Sequence, residues 1–247
     1  MLLQEDIDME NMKEFYILLD SIETEIGTLR FVKVKEYPIF IKHLQYLLLE
    51  KGHLLKLFKQ SFDLDENVKL VYEHLKETTL FDFVKLIGRY KIKFLGLYQI
   101  YQGYVEAFKF FFNEDVFYKI KTNEEFEYYK ELICQVNAIP YERPNPNPEI
   151  ERFNRFRRLL KRKKSENISF ESMYTSVWAY LKHCPDDLTL YQFNRLFHRI
   201  ARFKDFDMNT IFATVSKEVK IEPWCKDLEE DVKEYLDEKD LNIQRNL

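Results

Sequence analysis

Residues 144–164 read Pro144-Asn-Pro-Asn-Pro-Glu-Ile-Glu-Arg-Phe-Asn-Arg-Phe-Arg-Arg-Leu-Leu-Lys-Arg-Lys-Lys164. The alternating prolines remove backbone donors and push the residue before each of them into an extended conformation, so no helix runs through this point. Segment 140–148 is therefore predicted to be a stiff, extended linker. It separates an N-terminal region, 1–139, from a helical C-terminal region, 149–226, and an acidic tail follows at 227–247.

The composition indicates a folded, helix-rich protein. The 247 residues are 46% hydrophobic and 16% aromatic, with 22 Phe and 16 Tyr, whereas disordered chains are poor in aromatic residues. A total of 5 Gly and 7 Pro leaves few turn positions, which favours helices. We predict a mainly α fold, with a helical, bundle-like body, a small N-terminal β-hairpin, and two helical regions joined by the Pro-rich linker.

The hairpin is predicted from two short runs of strand-forming residues. Residues 13–19 read Lys-Glu-Phe-Tyr-Ile-Leu-Leu, and Asp20 and Ser21 follow as a turn. After Gly27, residues 28–34 alternate strand formers with basic residues. The expected role of this hairpin is to cover one end of the helical body.

Helix signals recur through the rest of the N-terminal region. Pro38 suits the first turn of a helix, and Thr79 precedes a helical run. Residues 122–125 read Thr-Asn-Glu-Glu, a capping-box pattern, and Asn137 is expected to end that helix.

Residues 94–112 keep a helical pattern but are aromatic, and two interpretations are open. The side chains form either a docking surface for a partner or a bulky core stripe. The core is favoured, because large aromatic residues at helical spacing usually bury their area. The residues are Tyr98, Tyr101, Tyr104, Phe108, Phe111 and Phe112.

Two further helices are predicted in the C-terminal region. Ser169 is expected to cap the first, and residues 184–187 to form a turn. Thr189 opens a second capping box. Phe206 and Asp207 are expected to end that helix, and residues 208–215 are predicted as helix rather than strand.

No set of residues predicts catalysis, a metal or a cofactor. The 3 Cys lack a CxxC spacing, which indicates free thiols in a reducing compartment, and the 5 His are scattered. Glycine-rich phosphate loops and nucleophile motifs do not occur. The N-terminus is acidic where a signal peptide is basic, and no apolar run reaches the roughly 18 residues of a membrane span. We expect a non-catalytic protein of the cytoplasm, with no membrane contact.

The basic run allows two interpretations. Eight Lys or Arg fall between residues 152 and 164, without an acid among them, and such a run can bind nucleic acid. The net charge of −4 and the aromatic stripe beside the run favour a solvated or protein-facing helix. The acidic tail complements the run within the chain or between copies, so self-association is also an expectation.

Six short segments occur in an order and spacing shared with a known family. They are 122–129, Asn145-Pro-Asn-Pro-Glu-Ile150, 168–177, 188–193, 212–216, and Val219-Lys-Ile-Glu-Pro-Trp-Cys-Lys226, with a looser match at 28–38. In these segments the chain resembles the tail assembly chaperones of tailed phages that infect Gram-positive bacteria. The acidic residues after 228 lie outside the resemblance.

The resemblance implies a non-catalytic accessory protein of tail morphogenesis in the cytoplasm of the infected host. Such proteins coat the long tape measure protein and bring tail tube subunits to it. The resemblance to this family assigns no catalytic residue to the chain. A tape measure protein is long and helical, so a helical binder rich in Phe and Tyr can shield its apolar stripe by helix-in-groove packing.

Aromatic and Arg residues of the C-terminal region are the candidate contacts, because these types dominate binding energy at interfaces. The candidates are Phe153, Arg155, Arg158, Tyr174, Trp178 and Tyr191. Two other functions stay open: a structural component of the tail or head-tail junction, and a nucleic-acid-binding regulator that uses the basic helix 152–164. An enzyme is the least favoured class.

Overall fold

The computed structural model describes residues 13–60, 66–141, 168–216 and 221–225, together with residues 143, 145, 150, 153–154, 156–157 and 219. The chain divides into two compact units. Unit 1 comprises Met1–Ser165 and Asp186–Tyr191, and unit 2 comprises Glu166–Pro185 and Gln192–Leu247. Within the predicted linker, the described residues Pro140, Tyr141, Arg143 and Asn145 have no regular secondary structure.

The N-terminal hairpin is present, but its first strand is not where the sequence predicted it. Strands β1 (Ser21–Thr24) and β2 (Gly27–Arg30) pair antiparallel, with Ile22 opposite Leu29. Both of these side chains are buried. The predicted first strand, 13–19, is instead largely a 3-10 helix, Lys13–Leu18. It buries Tyr16 and exposes the apolar residues beside it, so the run lacks the alternating burial of a strand.

Eight α-helices occur in the described residues. Six belong to unit 1: α1 (Tyr37–Leu47), α2 (Lys51–Gln60), α3 (Glu66–Glu77), α4 (Leu80–Tyr90), α5 (Leu97–Phe112) and α6 (Asn123–Val136). The other two are α7 (Phe170–Leu181) and α8 (Leu190–Ala213). Short 3-10 turns lie at Val34–Glu36, Phe94–Gly96 and Phe117–Lys119. The mainly α prediction with a minor hairpin is confirmed.

The predicted helix signals act as expected in unit 1. Thr79 and Thr122 cap α4 and α6 by accepting a hydrogen bond from the backbone N–H three residues later. The second half of the capping box is displaced by one residue, because Glu125 accepts from the backbone N–H of Lys121 rather than of Thr122. Asn137 follows α6 as its C-cap.

The aromatic residues of α5 form the core of unit 1. Tyr104, Phe108, Phe111 and Phe112 are buried, which confirms the core interpretation for them. Phe108 packs against rings from two other elements, Phe117 at 5.4 Å and Phe126 at 6.0 Å between centroids. Each such pair contributes on the order of 1 kcal/mol beyond the burial of its area, so this cluster fixes how α5 and α6 pack.

A short segment of the C-terminal region is part of unit 1. The backbone N–H of Val34 donates to the carbonyl of Leu188 at 2.9 Å, and that of Leu190 donates to the carbonyl of Val32 at 2.7 Å. Lys33 and Thr189 form the antiparallel bridge between these bonds. Thr189 is fully buried. We refer to the pairing of Asp186–Tyr191 with residues 32–35 as the seam.

Helix α8 is longer than the sequence predicted. It runs from Leu190 to Ala213, 24 residues, and does not end at Phe206 and Asp207. No Gly or Pro occurs between residues 190 and 213 to interrupt it. Within the uninterrupted helix, the hydroxyl of Thr210 also donates a hydrogen bond to the carbonyl of Phe206 at the expected end. Residues 208–213 are helical, as predicted.

Candidate polypeptide-binding surface

Helix α7 is held at both ends. The hydroxyl of Ser169 accepts a hydrogen bond from the backbone N–H of Ser172 at 3.1 Å, the predicted cap. At the other end Lys182 has φ 61° and donates its N–H to the carbonyl of Trp178 at 2.8 Å. Such caps stabilise a helix by about 1 kcal/mol at the N-terminus, and they fix the side chains that α7 presents.

The inner face of α7 is narrow. Val177 is its one buried residue. The ring of Phe170 packs against that of Phe193, the fourth residue of α8, with centroids 5.6 Å apart. Because so little of the helix is buried, several of its large aromatic side chains remain at the surface.

Tyr174 and Trp178 lie one turn apart on α7 and form an aromatic pair. Their ring centroids are 5.9 Å apart and the rings are edge-to-face, with an interplanar angle of 79°. Trp178 is 48% exposed and Tyr180 is 46% exposed. Large aromatic side chains with a polar group offer both apolar area and a hydrogen bond, which suits a binding contact. We call Tyr174 and Trp178 the aromatic surface; Tyr180, two residues after Trp178, lies on another side of the helix.

A polar contact orients Tyr174. Its hydroxyl lies 2.9 Å from Sγ of Cys184, in the loop that follows α7. Beside it, Nδ1 of His183 lies 3.0 Å from the carbonyl O of Leu181, which ties the same loop to the end of the helix. The ring of Tyr174 is therefore held between Trp178 and the loop, and the surface is preorganised for binding.

The six predicted contact residues have different positions. Tyr174 and Trp178 are brought together on α7. Phe153 is helical and 65% exposed. Arg155 and Arg158 lie outside the described residues.

Tyr191 is placed in the interior of unit 1. It is 7% exposed, and its ring packs edge-to-face on Tyr16 with centroids 5.6 Å apart. This side chain forms part of the seam and has little surface to offer a partner. We therefore leave Tyr191 out of the candidate surface.

Sequence reasoning missed the exposed apolar residues near the end of α8, which are Met208, Ile211 and Phe212. Their spacing of three and four residues indicates one face of a helix and could have identified them from the sequence. It was overlooked because the helix was expected to end at Phe206 and Asp207.

A cluster of titratable groups with a perturbed pKa lies in the core of unit 1. Nζ of Lys130 is 3.3 Å from a carboxylate oxygen of Glu127, and the side chains are 4% and 13% exposed. Burial lowers the pKa of Lys130, an effect that Glu127 partly offsets. The hydroxyl of Tyr141 also hydrogen-bonds to Glu127. These contacts anchor the start of the predicted linker on α6.

The described residues contain neither a candidate membrane span nor a candidate metal site. No helix among them is long and apolar enough to cross a lipid bilayer. No three His, Cys, Asp or Glu side chains in the same residues are grouped so that they could hold a metal ion.

Two family models match the chain in succession. Residues 10–146 match the YomV N-terminal domain, and residues 161–229 match the YomV second domain. The chain belongs to the YomV family. The seam, which places Asp186–Tyr191 in unit 1, therefore takes a piece of the YomV second domain into the unit that contains the YomV N-terminal domain.

A relative connects the YomV family to phages. The chain is 26% identical over 220 residues to the SPbeta prophage-derived uncharacterized protein YomV of Bacillus subtilis strain 168, covering 87% of this chain and 88% of that protein. The YomV family is thus phage-derived. No solved structure matches the chain.

Proposed function

We propose that this chain is a non-catalytic accessory protein of phage tail assembly that binds the tape measure protein and brings tail tube subunits to it. The observation that carries the proposal is the aromatic surface of α7, in which Trp178 is 48% exposed and pairs with Tyr174 on a capped helix. The phage origin of the family and the resemblance in sequence to tail assembly chaperones support the same function.

The chemistry of the partner follows from that surface. An apolar stripe on a long helix can pack against the rings of Trp178 and Tyr174. The unassembled tape measure protein is expected to expose such a stripe, and covering it prevents aggregation. The second proposed activity, the recruitment of tail tube protein, is assigned to unit 1.

Co-purification with the tape measure protein of the same phage tests the proposal. The tagged full-length chain is expected to retain that protein, and Trp178→Ala is expected to weaken binding by about 2 kcal/mol, or roughly thirtyfold. The matched control is Tyr118→Ala, which removes a 68% exposed aromatic residue from unit 1 and is expected to bind normally. Failure of the wild-type chain to retain tape measure protein contradicts the proposal. Finding the chain in purified virions supports a structural tail component instead.

A further inference from the structure

The second half of α8 exposes an apolar stripe. Met208 is 53% exposed, Ile211 is 65% exposed and Phe212 is 49% exposed. Val215, in the turn after the helix, is 82% exposed. Single exposed apolar residues are ordinary, but a contiguous row of them on one helix face is typical of an interaction site.

The stripe continues toward the start of the helix in heptad spacing. Alternating steps of four and three residues, the spacing of core positions in a coiled coil, connect Phe197, Ala201, Lys204, Met208 and Ile211. All but Phe197, which is half-buried, are exposed. At 1.5 Å per residue the pattern extends over about 21 Å of helix.

We propose that α8 pairs with α8 of a second copy of this chain, antiparallel, about a two-fold axis that passes between Lys204 and Asp205. A two-fold contact uses the same surface on both copies, so the residues must be complementary to the same helix read in the opposite direction. This requirement is strict, and it can be checked residue by residue.

The apolar residues meet the requirement. With the axis at that point, the small Ala201 lies opposite the long Met208 of the second copy, and Phe197 lies opposite Phe212, whereas Ile211 lies opposite His198 at the edge of the contact. Alternation of small and large side chains lets two helices approach closely and pack without voids.

Two charged residues, Lys204 and Asp205, also satisfy the requirement that the helix be complementary to itself in the opposite direction. Lys204 and Asp205 are both exposed, and neither has an ion-pair partner among the residues that the structure describes. In the antiparallel pair, each Lys204 lies opposite Asp205 of the other copy. In a parallel, in-register pair, Lys204 would lie opposite Lys204. A charged residue at the contact between two helices favours the helix orientation that places an opposite charge beside it. Lys204 therefore favours the antiparallel orientation.

The proposal does not depend on the proposed function. The aromatic surface lies on α7 and shares no residue with the α8 stripe. A dimer built through α8 carries two copies of that surface, which suits a long, repetitive partner because linked sites bind more tightly than single ones.

A charge-swap series on the full-length chain tests the pairing by sedimentation and light scattering. The wild type is expected to be a dimer at concentrations on the order of 10 μM. Lys204→Asp and Asp205→Lys each place like charges opposite one another and are expected to weaken the dimer about tenfold. The double variant K204D/D205K restores opposite charges and is expected to recover dimerisation. Glu171→Lys, an exposed charge reversal on α7, is the control and is expected to have no effect.

Thiol crosslinking tests the orientation in a C184S/C225S background, because Cys134 is buried and stays unreactive. The variant carrying both A201C and M208C is expected to link into dimers with a short thiol crosslinker, and A201C alone is not. Efficient linking by A201C alone indicates a parallel pair and overturns the proposal. A wild type that stays monomeric at all concentrations, or a K204D/D205K variant as weak as the single variants, also overturns it.

Discussion

The side-chain amide of Asn137 joins the end of α6 to Val32, 105 residues earlier in the chain. Its Oδ1 accepts a hydrogen bond from the backbone N–H of Val32 at 3.0 Å, and its Nδ2 donates to the carbonyl of Ile133 at 2.8 Å. Asn137 is 2% exposed, so water is not available to replace either bond. One side chain therefore ends a helix and holds the chain segment on which the seam is built.

Replacing Asn137 is expected to destabilise unit 1. Asn137→Ala leaves the N–H of Val32 buried without its acceptor, and an unsatisfied buried group costs about 1–3 kcal/mol. Urea unfolding followed by circular dichroism measures the loss. Gln102→Ala, at an exposed position on α5, is the control and is expected to change stability by about 0.5 kcal/mol or less. Equal midpoints for the two variants would contradict the assigned role of Asn137.

Gly103 is expected to resist substitution although it lies within a helix. Alanine normally stabilises a helix by about 1 kcal/mol relative to glycine. Here a Cβ atom on Gly103 would lie 2.1 Å from the ring of Tyr46 on α1, closer than any real contact. We expect Gly103→Ala to lower the melting temperature, because overpacking costs about 1–3 kcal/mol.

The steric origin of that loss is separable by a double-mutant cycle. In a Tyr46→Ala background the ring is absent, so Gly103→Ala is expected to be neutral or stabilising, by the gain in helix propensity. The four melting temperatures give the coupling between the two positions. A loss that is the same in both backgrounds means that Tyr46 is not what excludes a side chain at Gly103.

These contacts show which parts of the structure the sequence could predict. Caps depend on residues close together in sequence, so Thr79, Thr122 and Ser169 were readable. The strand at Ser21–Thr24 was missed because strand formers are as frequent in residues 13–19, and only the pairing of Ile22 with Leu29 decides between them. The seam was also missed. It depends on backbone pairing between residues more than 150 positions apart, and local pattern carries no signal of such pairing.

The same distinction applies to the candidate surface. Tyr174 and Trp178 could be proposed because aromatic residues dominate binding energy at interfaces, and the structure shows that the two share a helix face. The same reasoning proposed Tyr191, whose burial against Tyr16 depends on the tertiary fold. Residue type suggests a binding contact, but exposure decides it, and exposure follows from packing that the sequence does not display.

Alkaline pH is expected to destabilise the protein. Burial raises the pKa of Tyr16 and of Tyr129 to about 12, from ordinary values of 10.0. Between these values the folded state binds more protons than the unfolded state, so the free energy of unfolding falls as pH rises, by up to about 1.4 kcal/mol per pH unit for each group. The pKa values of Lys51, Lys85 and Lys130, which burial lowers, act in the opposite direction just below pH 10.5. Burial also raises the pKa of Cys134 to about 12 and raises that of Tyr104, and these two groups act in the same direction as Tyr16 and Tyr129.

Midpoints of urea unfolding between pH 8 and pH 11.5 are the measurement that checks this dependence. Tyr16→Phe removes one of the titrating groups and keeps its ring contacts with Phe31 and Tyr191. The variant is expected to show a shallower fall of stability with pH than the wild type. An identical slope would mean that the Tyr16 hydroxyl titrates equally in the folded and unfolded chains.

The seam is expected to depend on one backbone donor. Leu190 is the first residue of α8, a position where proline is tolerated, yet its N–H donates to the carbonyl of Val32 at 2.7 Å. Leu190→Pro therefore removes a seam bond without interrupting the helix. Leu190→Ala keeps the N–H and removes the side chain, so it serves as the matched control.

Amide hydrogen exchange at Val34 reports the outcome, because that N–H donates to Leu188 across the seam. A lost hydrogen bond of about 1 kcal/mol raises the population of the open seam about fivefold. We expect Val34 to exchange faster by at least this factor in Leu190→Pro than in Leu190→Ala, while the helical circular dichroism of the two variants stays alike. If Val34 exchanges at the same rate in both, the Leu190–Val32 bond does not hold the seam, and the other contacts do so: the backbone bonds of Val34 and Lys35 and the buried side chains of Thr189 and Tyr191.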